Sequence, residues 1–383
     1  MPKIADIIEI AESMRSEHVL VVPQRCSAVR HRKSTCRRCV EACISGAVSV
    51  GYNEVEIDPS ACVGCGACTS VCPTEALVPL KPTDIELSDR MVAAVEALSD
   101  DRETAIVACA RIASKREGDP SKFSEVPCLG RVEESLFVQL AAHGVANIVL
   151  VDGTCRTCKH RDAVPVIDDA VDAANEIFEV MGAEARVRRV SEFPPEAVAE
   201  DAANRYGESR RGFFGQATSV AKTAAGKTVE HVLASDAAKS VPTLRDLLAV
   251  DDSGTLPQFD PARHTDLLDA MAELGEPVAD ELFTRRFGAV EIDRDSCNSC
   301  AMCTVFCPTH ALVKTKDEPS EKGGIVLEFS AMQCVQCGLC EDICLQNCLT
   351  VSPSVPTDQL FDFEPRVFDL PKPAIGKSHF ACR

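Results

Sequence analysis

The sequence has no tryptophan and only two tyrosines, and aromatic residues make up 4% of its 383 residues. It has no apolar run approaching the ~20 residues that cross a bilayer, and its first 20 residues lack the basic and apolar regions of a secretory signal. Positive charge is also scarce, since 40 Lys and Arg face 59 Asp and Glu for a net charge of −19. We therefore expect a cytoplasmic chain without a membrane span, and one that does not bind nucleic acid, because its charge repels phosphate.

What the chain has in quantity is cysteine, with 22 residues, of which sixteen fall in four short runs. In a reducing compartment, thiols are metal ligands more often than disulfide partners. The apolar fraction of 45% is that of a globular protein. The length fits two or three domains.

Three of the runs share the spacing C-x2-C-x2-C-x3-C. They are Cys62, Cys65, Cys68 and Cys72; Cys297, Cys300, Cys303 and Cys307; and Cys334, Cys337, Cys340 and Cys344. Thiolates three residues apart can wrap around one iron–sulfur cube, and a fourth, turned away, reaches a neighbouring cluster. Zinc knuckles built from CxxC pairs are the alternative, but repeated runs of four thiols favour clusters.

The first run departs from this pattern, with Cys26, Cys36, Cys39 and Cys43. Lys33 stands where a first ligand is needed, three positions before Cys36. Cys26 can replace it across a longer loop. The alternative is a cluster with three protein ligands and an open fourth position.

An internal repeat links two of the runs. Val55-Glu56-Ile57-Asp58 precedes Cys62, and Val290-Glu291-Ile292-Asp293 precedes Cys297, with the same separation between the Asp and the Cys. One cysteine module therefore occurs at least twice in the chain.

In pairs, these runs resemble the bacterial ferredoxin module that holds two [4Fe-4S] clusters, over roughly 20–80 and 286–352. The resemblance implies crossed ligation in four sets: Cys26, Cys36, Cys39 and Cys72; Cys62, Cys65, Cys68 and Cys43; Cys297, Cys300, Cys303 and Cys344; and Cys334, Cys337, Cys340 and Cys307. We interpret Cys348, which stands where other runs have Ala, as a small buried side chain, and Cys382 as uninvolved.

Between the cysteine-rich parts, strands and helices alternate. TAIVACA, ANIVLVDG and ARVRRV read as strands, and ESLFVQLAAHG and VIDDAVDAANEIFEVMG as amphipathic helices, which indicates a small α/β domain over 100–195. Cys109, Cys128 and Cys155 stand at or after strand ends, with Cys158 close by. Such thiols can converge on one edge of the sheet.

The segment from Val126 to Cys158 resembles the delta (iron–sulfur) subunit of methyl-viologen-reducing and related hydrogenases, through Cys128-Leu129-Gly130-Arg131-Val132. The resemblance implies a [2Fe-2S] cluster on Cys109, Cys128, Cys155 and Cys158. This chain has a single early cysteine and a tight later pair, unlike that family. A zinc site and metal-free thiols are the alternatives.

The predicted fold is α+β and multidomain, with two dicluster ferredoxin modules around a small α/β domain and a helical linker. Its parts are a first module with an N-terminal helix and strand (1–85), the α/β domain (100–195), a helical linker (196–285), a second module (286–354) and an extended C-terminal arm (355–383). The arm carries Phe361, Phe363, Phe368 and Phe380.

Other motifs fail or are ambiguous. Residues 221–228 end like a phosphate loop, but Ala221 replaces the first glycine and no strand precedes it. No GxGxxG supports a Rossmann unit. A basic segment, Arg25 to Arg38, reads either as a solvated loop that offsets cluster charge or as a dock for an acidic partner.

We therefore expect a non-catalytic electron-transfer subunit of an anaerobic oxidoreductase, with four [4Fe-4S] clusters and one [2Fe-2S] cluster. Its partners would be other redox subunits: by resemblance a hydrogenase, a formate or other molybdo- or tungsto-pterin oxidoreductase, or a flavin-containing subunit. The alternative is an iron–sulfur reductase whose catalytic cluster lies in the α/β domain. A redox- or iron-sensing protein is disfavoured by the acidic charge.

Overall fold

A computed structural model describes residues 16–98, 102–153, 155–199, 248–250, 254–315 and 320–372. Several features noted in the sequence lie outside these residues. They are the helix expected over 4–14, most of the linker, the segment 221–228, Phe380 and Cys382.

The first cysteine-rich part consists of two antiparallel ribbons. The outer ribbon pairs β1 (Val19–Val21) with β4 (Leu77–Pro79), and the inner one is the hairpin of β2 (Val48–Gly51) and β3 (Glu54–Ile57). Short helices accompany the cysteines: α1 (Ser27–Arg30), α2 (Arg38–Glu41) and α3 (Ala67–Ser70). The alternating pattern of the hairpin buries Val48, Val55 and Ile57 with the thiols in a small core.

The middle part is a four-stranded parallel sheet in the order β6-β5-β7-β8. Its strands are β5 (Thr104–Cys109), β6 (Ser124–Val126), β7 (Asn147–Val151) and β8 (Arg186–Val190). Helices α4 (Asp84–Leu98), α5 (Ala110–Ala113), α6 (Glu134–Ala142) and α7 (Val164–Val180) accompany it. The central strands are continuous apolar runs, as expected where helices cover both faces of a parallel sheet.

Two helices extend this picture. The interpretation of the sequence did not include α4, although Leu87, Met91, Val95 and Leu98 form a buried stripe at helical spacing. Within the expected linker, α8 (Ala262–Leu274) packs against α6 and buries Leu267 and Met271 completely. This part of the linker is therefore an integral layer of the fold.

The second cysteine-rich part repeats the ribbons of the first. Strand β9 (Glu281–Phe283) leads into the outer strand β10 (Ala289–Ile292), and β11 (Leu312–Lys314) forms the inner hairpin with β12 (Gly323–Phe329). The remaining elements are α9 (Met302–Phe306), α10 (Leu339–Asp342), β13 (Leu349–Ser352), which pairs with β10, and β14 (Ser354–Pro356), which pairs with β9.

The sequence repeat relates a hairpin strand of the first part to an outer strand of the second. The amide of Asp58 donates to the Ala47 carbonyl at 2.8 Å, and the amide of Asp293 donates to the Cys348 carbonyl at 2.7 Å. Each Asp carbonyl then accepts from the first cysteine of the following run. The second half of the first module and the first half of the second module are therefore built alike.

The C-terminal segment differs from the expected extended arm. It begins with helix α11 (Thr357–Phe361), and β15 (Arg366–Pro371) joins β12 as the edge of a three-stranded sheet. Phe368 is 1% exposed within this sheet, whereas Phe363 is 64% exposed. The segment is therefore part of the second module, because its alternate residues cover the hairpin.

One apolar core runs from the parallel sheet into the second cysteine-rich part, while the first part has a small core of its own. This mixture of helices and small sheets confirms a multidomain α+β fold. None of the helices in the described residues is long and apolar enough to span a membrane.

Candidate metal centres

Three cysteine runs share an unusual backbone conformation. The residues just before and after the second cysteine have positive φ angles in each run: Gly64 and Gly66, Ser299 and Ala301, and Gln336 and Gly338. Side chains other than glycine rarely adopt this region, and such strain persists where a site requires it. The alternation curls the backbone so that three thiols face one point.

The first run follows a different path. Arg37, which follows Cys36, has an extended φ of −134°, and helix α1 occupies part of the longer loop. The structure nevertheless brings Cys26 to the run. Burial, with smaller contributions from nearby Cys72 and Cys36, raises the pKa of its thiol to about 11.

The described thiols gather in four groups, which we call sets one to four. Set one is Cys26, Cys36, Cys39 and Cys72; set two is Cys43, Cys62, Cys65 and Cys68; set three is Cys297, Cys300, Cys303 and Cys344; and set four is Cys307, Cys334, Cys337 and Cys340. In each set, one thiol lies within electrostatic range of the other three, namely Cys39, Cys68, Cys303 and Cys340. The groups match the crossed ligation that the ferredoxin resemblance implies.

Burial is the largest influence on the pKa of those thiols whose pKa is shifted. It raises the pKa of Cys303 and Cys334 to about 12, and neighbouring thiols act in the same direction. Cys43 is the exception: burial also opposes its ionisation, but backbone amides lower its pKa, including that of Ala47, which donates to its Sγ at 3.1 Å.

The donor chemistry of the sets fits iron–sulfur clusters. Four thiols gathered at one place suit a shared cation, and iron bound to thiols removes their protons outright. In the described ranges, no three Cys, His, Asp or Glu side chains converge tightly enough to hold a single metal ion. A polynuclear cluster is a larger group, and its ligands stand further apart.

Cys348 is a fifth thiol beside set three. It is 7% exposed, as expected for a small buried side chain, and its Sγ lies 3.5 Å from that of Cys344. The corresponding positions after the fourth cysteine of the other runs are Ala47, Ala76 and Ala311. The sequence interpretation anticipated the burial of Cys348 but not its contact with a thiol of the set.

The α/β domain gathers its own group, which we call the middle set: Cys109, Cys128, Cys155 and Cys158. Burial raises the pKa of Cys128 to about 12, with contributions from Cys65, Cys109 and Cys155. Cys109 in turn lies in electrostatic range of Cys158. Since parallel strands end at one edge of the sheet, the thiols after β5, β6 and β7 converge there.

The sets also lie next to one another in a fixed order. Thiol pairs within electrostatic range across set boundaries are Cys128 and Cys65, Cys68 and Cys39, Cys36 and Cys337, and Cys340 and Cys303. Cys65 and Cys128 also share a small apolar cluster with Ala67 and Val166. The spatial order is therefore middle, two, one, four, three, which differs from the order along the chain.

Much of the basic segment contacts the second module. Arg30 is 4% exposed and donates to the carbonyls of Phe306 and Cys307 at 3.1 and 3.2 Å. Arg38 donates to the Gln336 carbonyl at 3.0 Å. Arg30 and Arg38 therefore tie two parts of one chain together instead of forming a solvated loop.

The sequence interpretation also missed a buried charge network beside the sets. Arg263 donates to Asp84 at 2.9 Å, and Arg286 donates to Glu134 at 2.6 Å. These partners are far apart in the chain, so no local pattern links them. The only available signal was the presence of charges within otherwise apolar segments.

Known protein families match this chain in its two cysteine-rich parts. A 4Fe-4S binding domain matches residues 55–78, and a 4Fe-4S dicluster domain matches residues 296–348. A ferredoxin of Streptomyces griseus is 35% identical over 80 residues, which cover 21% of this chain and 71% of that protein. A 7Fe ferredoxin of Hydrogenibacillus schlegelii is 44% identical over 39 residues, covering 10% and 50%.

A third relative is the pyruvate synthase subunit PorD of Thermotoga maritima, which is 27% identical over 62 residues, or 16% of this chain and 56% of that protein. Together these matches confirm ferredoxin-like modules with [4Fe-4S] clusters and an iron–sulfur electron-transfer role.

Proposed function

This chain belongs to the ferredoxin family, and we propose that it carries electrons between redox subunits of a larger oxidoreductase. The observation that carries the proposal is the continuous line of thiol sets, in which each set lies within electrostatic range of the next. Neighbouring sets in one rigid chain suit a protein that conducts electrons.

Sets one to four would each hold one [4Fe-4S] cluster, with Cys26 as the fourth ligand in set one. A bound cluster of this kind accepts and releases one electron at a potential between about −700 and +450 mV. The protein would hold the thiols in place, and burial shields five of them from water, namely Cys65, Cys68, Cys72, Cys307 and Cys334.

The middle set would hold a [2Fe-2S] cluster on Cys109, Cys128, Cys155 and Cys158, in a domain like the delta subunit of methyl-viologen-reducing hydrogenases. Support comes from the convergence of these thiols at one sheet edge and from the electrostatic proximity of Cys128 to Cys65 of set two. The domain would then be one end of the electron path and set three the other.

The partners would be other subunits of an anaerobic oxidoreductase. The relative named as a pyruvate synthase subunit is by its name part of a larger enzyme. Electron input or output by a hydrogenase, by a molybdo- or tungsto-pterin enzyme, or by a flavin-containing subunit fits the same role.

Counting iron and sulfide after anaerobic purification tests the proposal. Four cubes and one two-iron cluster require about 18 iron, and four cubes alone about 16. Cys128→Ser should lower the count by about two and Cys300→Ser by about four. Stoichiometric zinc with little sulfide would contradict the proposal, and 16 iron in both wild type and Cys128→Ser would remove the middle cluster only.

A second candidate function is a reductase with its catalytic cluster in the middle set. Its support is the partial exposure of Cys155 and Cys158, whereas Cys109 and Cys128 are buried. Turnover of a small substrate by the isolated chain with a chemical electron donor would favour it. Transfer to dyes alone would favour the electron carrier.

A further inference from the structure

The contact between the two ferredoxin modules is built around the buried guanidinium of Arg30. It donates to four backbone carbonyls: Gln24 at 3.1 Å, Pro257 at 2.7 Å, Phe306 at 3.1 Å and Cys307 at 3.2 Å. The Phe306 and Cys307 carbonyls belong to the second module, and Cys307 is itself a member of set four. These contacts fix the guanidinium but do not neutralise its charge, because carbonyls are neutral.

Further contacts hold the same faces together. The backbone amide of Thr35 donates to Asp342 at 2.7 Å, and its hydroxyl donates to the same carboxylate at 3.0 Å. The His31 ring packs edge-on against Phe306, with centroids 4.8 Å apart. Together with the bond from Arg38 to the Gln336 carbonyl at 3.0 Å, these contacts hold residues on both sides of Cys36 against residues on both sides of Cys337.

The charge of Arg30 is directed at the thiols of set four. Burial lowers the pKa of its guanidinium, while the thiols of Cys307 and Cys337 raise it. Cys337 also lies in electrostatic range of Cys36 in set one. A buried cation is unfavourable unless an anion compensates it, and the cluster-bound thiolates of Cys307 and Cys337 would supply that anion.

We propose that Arg30 couples sets one and four electrostatically, so that its charge raises the midpoint potentials of the clusters held by these two sets and leaves the other sets unaffected. This inference rests on the proposed function, because it requires clusters at both sets. Cluster potentials respond to nearby charge and hydrogen bonds. The two modules would then exchange electrons at this junction, between sets one and four.

The test is a redox titration followed by electron paramagnetic resonance, on the full chain with Arg30→Gln, Arg30→Lys and the control Arg32→Gln. Arg32 is exposed and lies two residues away. Arg30→Gln should lower the midpoint potentials of two clusters, Arg30→Lys should restore most of the shift, and Arg32→Gln should cause none. Cys36→Ser and Cys337→Ser, each of which removes one cluster, identify the two affected signals.

Should Arg30→Gln fail to fold, the wild type still decides the question. Its fully reduced form should show a magnetic interaction that both Cys36→Ser and Cys337→Ser abolish. A full iron count without this interaction, or an Arg30→Gln shift shared by all clusters, would overturn the inference alone. A wild type without clusters would instead overturn the proposed function.

Discussion

The Nε of Arg286 donates to the buried carboxylate of Glu134 at 2.6 Å. The same guanidinium donates to Glu133 and to the Ser70 carbonyl, both at 2.8 Å. Glu134 begins helix α6 of the parallel sheet, Ser70 ends helix α3 of the first module, and Arg286 precedes strand β10 of the second. One side chain therefore joins all three parts and holds the line of thiol sets together.

Glu134→Gln should destabilise the protein by about 3–5 kcal/mol, because it removes the buried carboxylate that pairs with Arg285 and Arg286 and leaves Arg286 with Glu133 alone. Although burial opposes its ionisation, Arg286 and Arg285 hold the pKa of Glu134 well below its usual range. Chemical denaturation of the intact protein measures the loss.

The matched control is Glu291→Gln. Glu291 pairs with Arg366 at 2.8 Å, but its side chain is 59% exposed. Exposed pairs contribute less than ~1 kcal/mol. Equal losses of stability in the two variants would contradict the larger contribution of the buried Glu134 carboxylate.

The three thiols that each run contributes to one set have local determinants, whereas the fourth thiol, from the other run of the module, was expected only from the ferredoxin resemblance. Spacing along the chain fixes which three thiols face one point, and apolar runs ending in Cys109 or followed by Cys128 fix the sheet edge where the middle set gathers. The parallel strands and helices α6 and α7 could be predicted from the sequence for the same reason. Their periodic patterns occur within single segments.

The relative placement of the modules could not be predicted. It depends on the bonds from Arg30 to Phe306 and from Arg286 to Glu133, which join residues 276 and 153 positions apart in the chain. Nothing local distinguishes them from exposed basic residues such as Arg32. The pairing of the C-terminal segment could not be predicted for a related reason: β15 acquires it only because the β12 edge is available.

Gly66→Ala should separate the first module from the α/β domain. Gly66 has a φ of +81°, and a Cβ there would lie 2.5 Å from Arg131 Cδ and 3.2 Å from its Cα. Strain of about 1–2 kcal/mol adds to a clash of about 1–3 kcal/mol. The stability loss should accompany weaker magnetic interaction between the clusters of set two and the middle set.

Gly46→Ala is the matched control, since Gly46 has a φ of +68° and nothing within 4 Å of the added Cβ. It should show the strain alone, about 1–2 kcal/mol. Ala301, which occupies the place of Gly66 in another run, has a φ of 56°, which indicates that the strain alone is tolerated. A Gly46→Ala loss as large as that of Gly66→Ala would contradict the clash.

Stability should fall as pH decreases from 7 to 5, because of His264. Its Nε2 donates to the Met332 carbonyl at 2.7 Å, and burial lowers its pKa to about 4, with Arg286 acting in the same direction. The unfolded chain binds the proton from about pH 6.5 downward, so the contribution is complete above that pH and is lost on the way to pH 4. The expected loss between pH 7 and 5 is about 2 kcal/mol.

Denaturation curves at pH 7 and 5 measure this loss, and His264→Gln should flatten the dependence by about that amount. His143, whose Nδ1 contacts the Gln139 carbonyl at an exposed helix end, provides the control. His143→Gln should keep the wild-type slope. A slope that survives in His264→Gln would assign the acid sensitivity to other groups.

Cys348→Ala should retain the full iron content, because alanine occupies the corresponding position beside the other three sets. Cys344→Ala should differ from the other ligand variants. The Cys348 Sγ lies 3.5 Å from the lost sulfur, which is close enough for a small backbone movement to bring it to the same iron. We therefore expect Cys344→Ala to keep most of its iron.

Cys307→Ala provides the comparison, since Ala311 offers no replacement thiol there, and this variant should lose about four iron. The double variant Cys344→Ala/Cys348→Ala should lose the same number. Iron and sulfide analysis, with the electron paramagnetic resonance signal of the reduced protein, separates these cases. If Cys344→Ala alone loses four iron, Cys348 is only a packing residue; if Cys348→Ala loses them, Cys348 is itself a ligand in the intact protein.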